Sequence, residues 1–351
     1  MRVAVVGAGI FGSTIAWTLA KEGIEVDLYD EKKDIFCCAS GINQFRLHRG
    51  YHYPRSDPTI DSCREGEKKF RQVYGDSVID SPHEHYYAIA RKNSFLNAKQ
   101  CFDIWSRHGL KYKETELETL DKKNIEKCVA VEEAVFDPKA LKEICLDRIK
   151  EYGVNLNLGQ NVSPRDLEEY NKIVVATYTF NNLFTEKSPS KERDYQFELI
   201  EKVVLNLPER FKNQSIVVID GPFTCIDPFG RTEHTLMGNV REAIHYRNIG
   251  KFPQIPEEFG KLLNRGVIPN PNITNIDRFL TAAEEFFPGI KTDTKHIGSM
   301  YTIRTVLPHR EHDDARPTLV EKIDDKTLAV FSGKIPTCID AAEQISEMIK
   351  D

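Results

Sequence analysis

Residues 2–30 read RVAVVGAGIFGSTIAWTLAKEGIEVDLYD, and this stretch decides the fold. Its first five residues are a near-continuous apolar run, as a parallel strand buried on both faces requires. GAGIFG follows without a spacer and sets Gly7, Gly9 and Gly12 in GxGxxG spacing. A helical pattern comes next, with Ala16 and Leu19 on one face, and Gly23 closes it. Val26–Asp30 then reads as a second strand ending in an acid. Each glycine has a physical task. Gly7 permits the tight strand-to-helix turn, Gly9 lets the backbone approach a pyrophosphate, and Gly12 lets helix and strand pack closely. The helix start offers unpaired N–H groups and the positive end of its dipole. Asp30, 18 residues after Gly12, is placed to accept hydrogen bonds from ribose hydroxyls, and an acid there disfavours a 2′-phosphate. The expectation is a dinucleotide-binding α/β unit. The motif alone does not choose between FAD and NAD.

Composition bounds the rest. The chain has 351 residues, 40% hydrophobic and 29% charged, enough for two domains or one large domain with an insertion. A net charge of −6 argues against a general nucleic-acid binder, which needs a basic face. The eight cysteines contain no CxxC pair and no zinc-ligand spacing, so they read as reduced thiols of a cytoplasmic protein. No metal is expected, and HREHDD (309–314) reads as a solvated loop rather than a cation site. The glycines account for the apolar N-terminus better than a secretory leader does, and no run of 18 apolar residues predicts a membrane span.

Separated segments carry a resemblance. Beside GAGIFG stand VFDPKALKEICLDRIKEYGVNLNLGQNV (135–162), KIVVATYTFNN (172–182) and LAVFSGKIPTCIDAAEQISEMIK (328–350). Together they resemble the FAD-dependent oxidoreductases of the D-amino-acid oxidase-like family, which includes sarcosine, glycine and 2-hydroxyglutarate oxidases. The resemblance implies non-covalent FAD, since Cys37 and Cys38 do not match the attachment positions of covalent relatives. It implies that Gly7, Gly9, Ile10, Phe11, Gly12 and Asp30 hold the nucleotide, with the backbone of Val162 at the adenine. Ala176 and Thr177 end a strand that returns to it, and Tyr178 stands where a glycine is common. Gly333, Lys334, Ile335 and Thr337 then lie against the flavin pyrimidine edge, where a lysine and a helix start suit the negative charge that reduction creates.

The implied fold is α/β: a Rossmann-like FAD-binding domain with a parallel sheet (1–80, 140–190 and 295–351) and an inserted α+β substrate domain with an antiparallel sheet (81–139 and 191–294). Within the insertion, residues 84–92, 195–207 and 215–228 read as strands and 94–109 as a helix. Phe223 and Phe229 are more simply core than substrate-facing.

The loop CCASGINQFRLHRGYHYPRSD (37–57) holds Arg46, Arg49 and Arg55 among histidines and tyrosines. Its HRGYHYP stretch resembles the HAGIYY-type segment of 2-hydroxyglutarate oxidases. By that resemblance Ser40, Asn43 and Gln44 face the cofactor, while His48, Arg49, Tyr51, His52 and Tyr53 approach substrate. A histidine, with an ordinary pKa of about 6.5, suits removal of a hydroxyl proton. A second run, YTIRTVLPHREHDDARPTLVEK (301–322), resembles the family segment leading to the flavin through Arg304, Asp314, Arg316 and Pro317. Arginine at such a place suits a substrate carboxylate, because the guanidinium fork binds it bidentately. The implied activity moves a hydride to flavin N5 from a carbon bearing an amine or hydroxyl. The substrate is a small amino acid, secondary amine or 2-hydroxy acid, and oxygen or another acceptor restores the flavin. The alternatives are an NAD-linked reductase, against which FSGKI (331–335) argues, and a non-catalytic flavin-binding protein. Neither substrate identity nor oligomeric state follows from these residues.

Overall fold

A computed structural model describes residues 1–80, 84–186 and 188–350. Strand β1 (Arg2–Val6), helix α1 (Ile10–Lys21) and strand β2 (Glu25–Asp30) form where the N-terminal pattern predicts them. They belong to a six-stranded sheet in the order 319–322, 327–331, 172–175, β1, β2, 155–158. All pairings are parallel except that between Leu319–Lys322 and Thr327–Phe331. Strand alternation assigns the two faces of β1. Val3 and Val5 join a core with α1, the helix Pro138–Glu151 and the terminal helix Cys338–Lys350, whereas Ala4 and Val6 pack under Leu167, Tyr170 and Phe184.

A nine-stranded sheet carries most of the middle of the chain. It is antiparallel apart from the parallel pairing of Glu84–Ala90 with Gln214–Ile219. Its long central strand, Tyr195–Asn206, pairs along its whole length with Lys295–Val306. Residues 295–306 therefore belong to this sheet and not to the parallel one with which the sequence pattern groups them. The expected strand at 215–228 is in fact a hairpin, Gln214–Ile219 and Thr224–Pro228, with Asp220–Phe223 at the turn. The turn residues Asp220, Gly221 and Pro222 break the ladder there. A small third sheet joins Arg46–Leu47, Ala134–Phe136 and Val78–Ile79. It ties the loop that comes after β2 to both larger sheets.

Alternation along Tyr195–Asn206 sends its side chains to two different environments. Phe197 and Leu199 enter one apolar cluster and Val203 and Leu205 another. Gln196, Glu198, Ile200 and Lys202 point the other way, into a cavity between the two large sheets. No helix among the described residues is long and apolar enough to cross a membrane.

Candidate active site

The cavity measures about 930 Å³, within the range of roughly 300–1,000 Å³ typical of small-molecule and cofactor sites. One end is built by the glycine turn. A Cβ on Gly12 would lie 1.8 Å from the Gly7 carbonyl oxygen, and one on Gly7, whose φ is +102°, would lie 2.5 Å from the Ala176 oxygen. Only glycine fits either place. The residue before α1, Gly9, has no side chain to cap it, and Ser40 Oγ from the following loop accepts from the Ile10 N–H at 3.0 Å. Asp30 anchors the turn to β2: its carboxylate accepts from the N–H groups of Ala8 at 2.7 Å and Lys32 at 2.8 Å. Burial pushes its pKa up, opposed by those two N–H donors. Gly7, Gly9, Ile10, Phe11, Asp30, Ser40, Val162, Ala176 and Thr177 all line the cavity. Gly12 lies behind it, in the close helix–strand contact predicted for it.

Tyr178 takes up the conformation of the glycine common at its position, with φ +57°. Its hydroxyl donates to the Thr305 carbonyl at 2.6 Å and accepts from the Thr305 N–H at 2.9 Å. Those two hydrogen bonds to the neighbouring sheet offset the backbone cost of a left-handed tyrosine.

The other end is polar. Gly333, Lys334 and Ile335 line it, and a Cβ on Gly333 would lie 2.1 Å from the Arg316 oxygen. Thr337, also expected there, is instead buried behind the wall, where its hydroxyl bonds Thr318 Oγ1 at 2.6 Å and the Lys334 carbonyl at 2.7 Å. The Lys334 ammonium lies 4.4 Å from the centre of the Tyr53 ring and has no carboxylate partner among the described residues. Burial lowers its pKa to about 7. An anion bound beside such a lysine would restore its full charge.

His48, His52 and Tyr53 line the same end, with His48 5.3 Å from His52 and 5.4 Å from Tyr53, ring centre to ring centre. The Nδ1 atoms of both histidines are buried and have no hydrogen-bond partner. Burial, reinforced by Lys334, lowers His48 to about 4, and burial with His48 beside it lowers His52 as well. Both imidazoles are therefore neutral near pH 7, each with one ring nitrogen that carries no proton.

Arg49 and Tyr51 do not reach the cavity. The Arg49 guanidinium turns outward to Glu67 at 3.3 Å and Glu132 at 3.0 Å. Tyr51 is wholly buried between Tyr87 and Trp105, and its hydroxyl donates to the Lys111 carbonyl at 2.5 Å. In an irregular loop, sequence proximity to His48 says nothing about side-chain direction. Asn43 and Gln44 do line the cavity, but they also hold its wall together. Asn43 braces its own loop through the Ala39 and Ser40 carbonyls, and Gln44 accepts from Lys202 Nζ at 3.0 Å.

Arg304 also lines the cavity. It lies directly opposite Glu198 in one ladder, and Arg247 lies opposite the same Glu198 in the next. Both guanidiniums pair with that carboxylate: Arg304 Nε at 2.6 Å, with Nη2 also in contact, and Arg247 Nη2 at 2.8 Å. Two cations against one buried carboxylate leave the patch net positive, and Glu198 is held below the usual carboxylate range against its own burial.

Glu198, Lys202 and Arg247 are not singled out by any sequence motif. The only local signal is Gln196, Glu198 and Lys202 on one face, at alternate positions of a largely apolar strand. Arg55 Nε pairs with Asp220 at 2.8 Å at the mouth, and its Nη1 donates to the Glu311 carbonyl at 2.7 Å. The 309–314 segment, expected to be simply solvated, thus forms part of the rim through Arg310, Glu311 and Asp314.

The residues fit FAD: a glycine cradle packed against backbone, a helix start opening on the cavity, an acid at the end of β2, and at the far end a lysine with no carboxylate partner among the described residues. A family model described as FAD dependent oxidoreductase (DAO) matches residues 2–321. The chain is 27% identical to the FAD-dependent monooxygenase kojA of Aspergillus flavus, over all of this chain and 86% of that protein. It is 25% identical to the FAD-dependent monooxygenase FPY4 of Fusarium mangiferae, over 99% and 90%. The crystal structure of glycine oxidase from Geobacillus kaustophilus superposes with a TM-score of 0.73 at 14% identity, covering 99% of this chain and 95% of that one.

Proposed function

The chain belongs to the DAO family of FAD-dependent oxidoreductases, and from that premise we propose that it oxidises a small substrate at a carbon bearing a hydroxyl or amine. When bound, FAD, held without a covalent link, supplies the acceptor for the hydride of that carbon. The chain's own residues do the rest. The net positive Arg304–Glu198–Arg247 patch orients an anionic group, leaving the guanidinium edge not used by Glu198 as the donor. His48 or His52, neutral and with an unused nitrogen, accepts the proton of the hydroxyl or amine. Lys334 offers positive charge where negative charge develops. The observation that carries this reading is the convergence, at one end of a single cavity, of two buried histidines whose Nδ1 atoms lack a partner and a lysine without a carboxylate partner among the described residues.

The names of the curated relatives favour a second reading, oxygen insertion by a monooxygenase. One experiment separates the two. The purified yellow protein is mixed under nitrogen with a panel of small 2-hydroxy acids, amino acids and secondary amines, and flavin absorbance near 450 nm is followed. Bleaching by a substrate alone supports the first reading. Bleaching only on addition of a nicotinamide donor supports the second. Reoxidation by air or by an artificial dye then identifies the terminal acceptor.

A further inference from the structure

Glu133 stands behind the cavity wall and touches none of the groups assigned to substrate. It lies just beyond the strand Ile125–Val131, and its side chain is sealed from solvent. Its Oε2 accepts from Arg46 Nη1 at 2.8 Å and from the Tyr87 hydroxyl at 2.7 Å. Its Oε1 accepts from the Arg49 N–H at 2.9 Å and retains a free lone pair. That oxygen lies 3.8 Å from His48 Nδ1, the buried nitrogen with no hydrogen-bond partner. Closing the gap to hydrogen-bond distance, about 2.7–3.2 Å, takes less than a rotamer change. Among the described residues no carboxylate pairs with His52.

We propose that Glu133 is a positioning residue: it accepts the Nδ1–H of His48 and thereby leaves the Nε2 lone pair facing the cavity as the proton acceptor. The inference rests on the reading of a cavity histidine as base, and it selects His48 over His52. The charges support it. Arg46 is buried against two carboxylates, Glu133 and Asp227, with Ser215 completing its shell. Burial pushes Asp227 up, while His48 and Arg46 hold Glu133 far below the usual carboxylate range, so Glu133 keeps its charge. In the reaction the C–H electron pair leaves with its hydrogen for the flavin. The O–H or N–H electrons become the C=O or C=N bond, the proton passes to His48 Nε2, and Glu133 stabilises the imidazolium.

Neutral imidazole carries its proton on whichever nitrogen finds an acceptor, so the tautomer reports the pair. The holoprotein labelled with ¹⁵N-histidine is measured by NMR at pH 7, with His48→Gln identifying the resonance. An Nδ1–H tautomer for His48 is expected. In Glu133→Gln the amide oxygen stays with Arg46 and Tyr87, so its NH₂ faces His48. The tautomer then moves to Nε2–H, and kcat falls about 100-fold or more with KM little changed. The pH profile of kcat shifts with it, set by the groups around His48: Glu133, Arg46, Lys334 and His52. An Nε2–H tautomer in the wild type, or an Nδ1–H tautomer that persists in Glu133→Gln, overturns the inference; the wild-type measurement decides even if the variant does not fold. Wild-type turnover in His48→Gln overturns instead the base reading beneath it.

Discussion

The glycine turn at 7–12 and the loop at 44–55 face one cavity but are built on opposite plans. The turn works through backbone. Its N–H groups and carbonyls do the contacting, and its side chains matter only by being absent, as the 1.8 Å separation behind Gly12 makes plain. The loop works through side chains whose hydrogen-bond partners lie 18 to 256 residues away, from Glu67 for Arg49 to Glu311 for Arg55. A backbone device can be read from a short motif because its geometry is local. A side-chain device depends on which way each residue turns, and that is decided by distant strands. Arg46 and Arg49 make the point within four residues. The first points into the core onto two buried carboxylates, and the second lies half-buried between buried Glu67 and exposed Glu132.

That contrast can be tested from its strongest consequence downward. Arg46→Ala strands Glu133 and Asp227 without their cation, and loss of one partner of a buried pair costs about 3–5 kcal/mol. A urea midpoint close to wild type would show that the loop does not depend on its core anchor. Gly12→Ala forces the turn apart and is expected to cost about 1–3 kcal/mol. It should also release flavin on gel filtration, whereas Gly9→Ala meets only the movable Ser40 hydroxyl at 2.9 Å and should leave the urea midpoint near wild type, its methyl obstructing the pyrophosphate and not the fold. Equal loss of stability in both would mean that the turn is not ruled by close packing.

Lys334 gives a pH-dependent version. Its folded pKa is depressed to about 7 from 10.5, so between those values the unfolded chain holds the proton and the folded one does not. Stability of the flavin-free protein should therefore rise with pH through that window, and the cost of a buried ammonium should be fully present below it. Lys334→Met should remove the slope of Tm against pH; a slope that persists must come from another group. Arg49→Ala is the smallest change, about 1 kcal/mol or less, because the pair with Glu132 is exposed and Glu67 keeps Arg71. Flavin content and turnover should stay near wild type. Loss of turnover would restore Arg49 to the substrate side and break the contrast between the two arginines.

What the amino-acid order determined by itself was whatever depends on local geometry: the β1–turn–α1 unit, the glycines that only glycine can replace, Asp30 at the end of β2, and the FSGKI return to the cofactor end. Tyr178 was legible only as standing where glycine is common; its left-handed backbone and its hold on Thr305 were not. The tertiary structure alone decided the substrate side. Glu198 meets Arg304 and Arg247 only because strands 49 and 106 residues away lie on either side of it in register. Glu133 meets His48 only because a three-stranded sheet closes over the loop. Strand register and loop direction are fixed by burial summed over the whole chain, so no window of sequence short enough to read contains them.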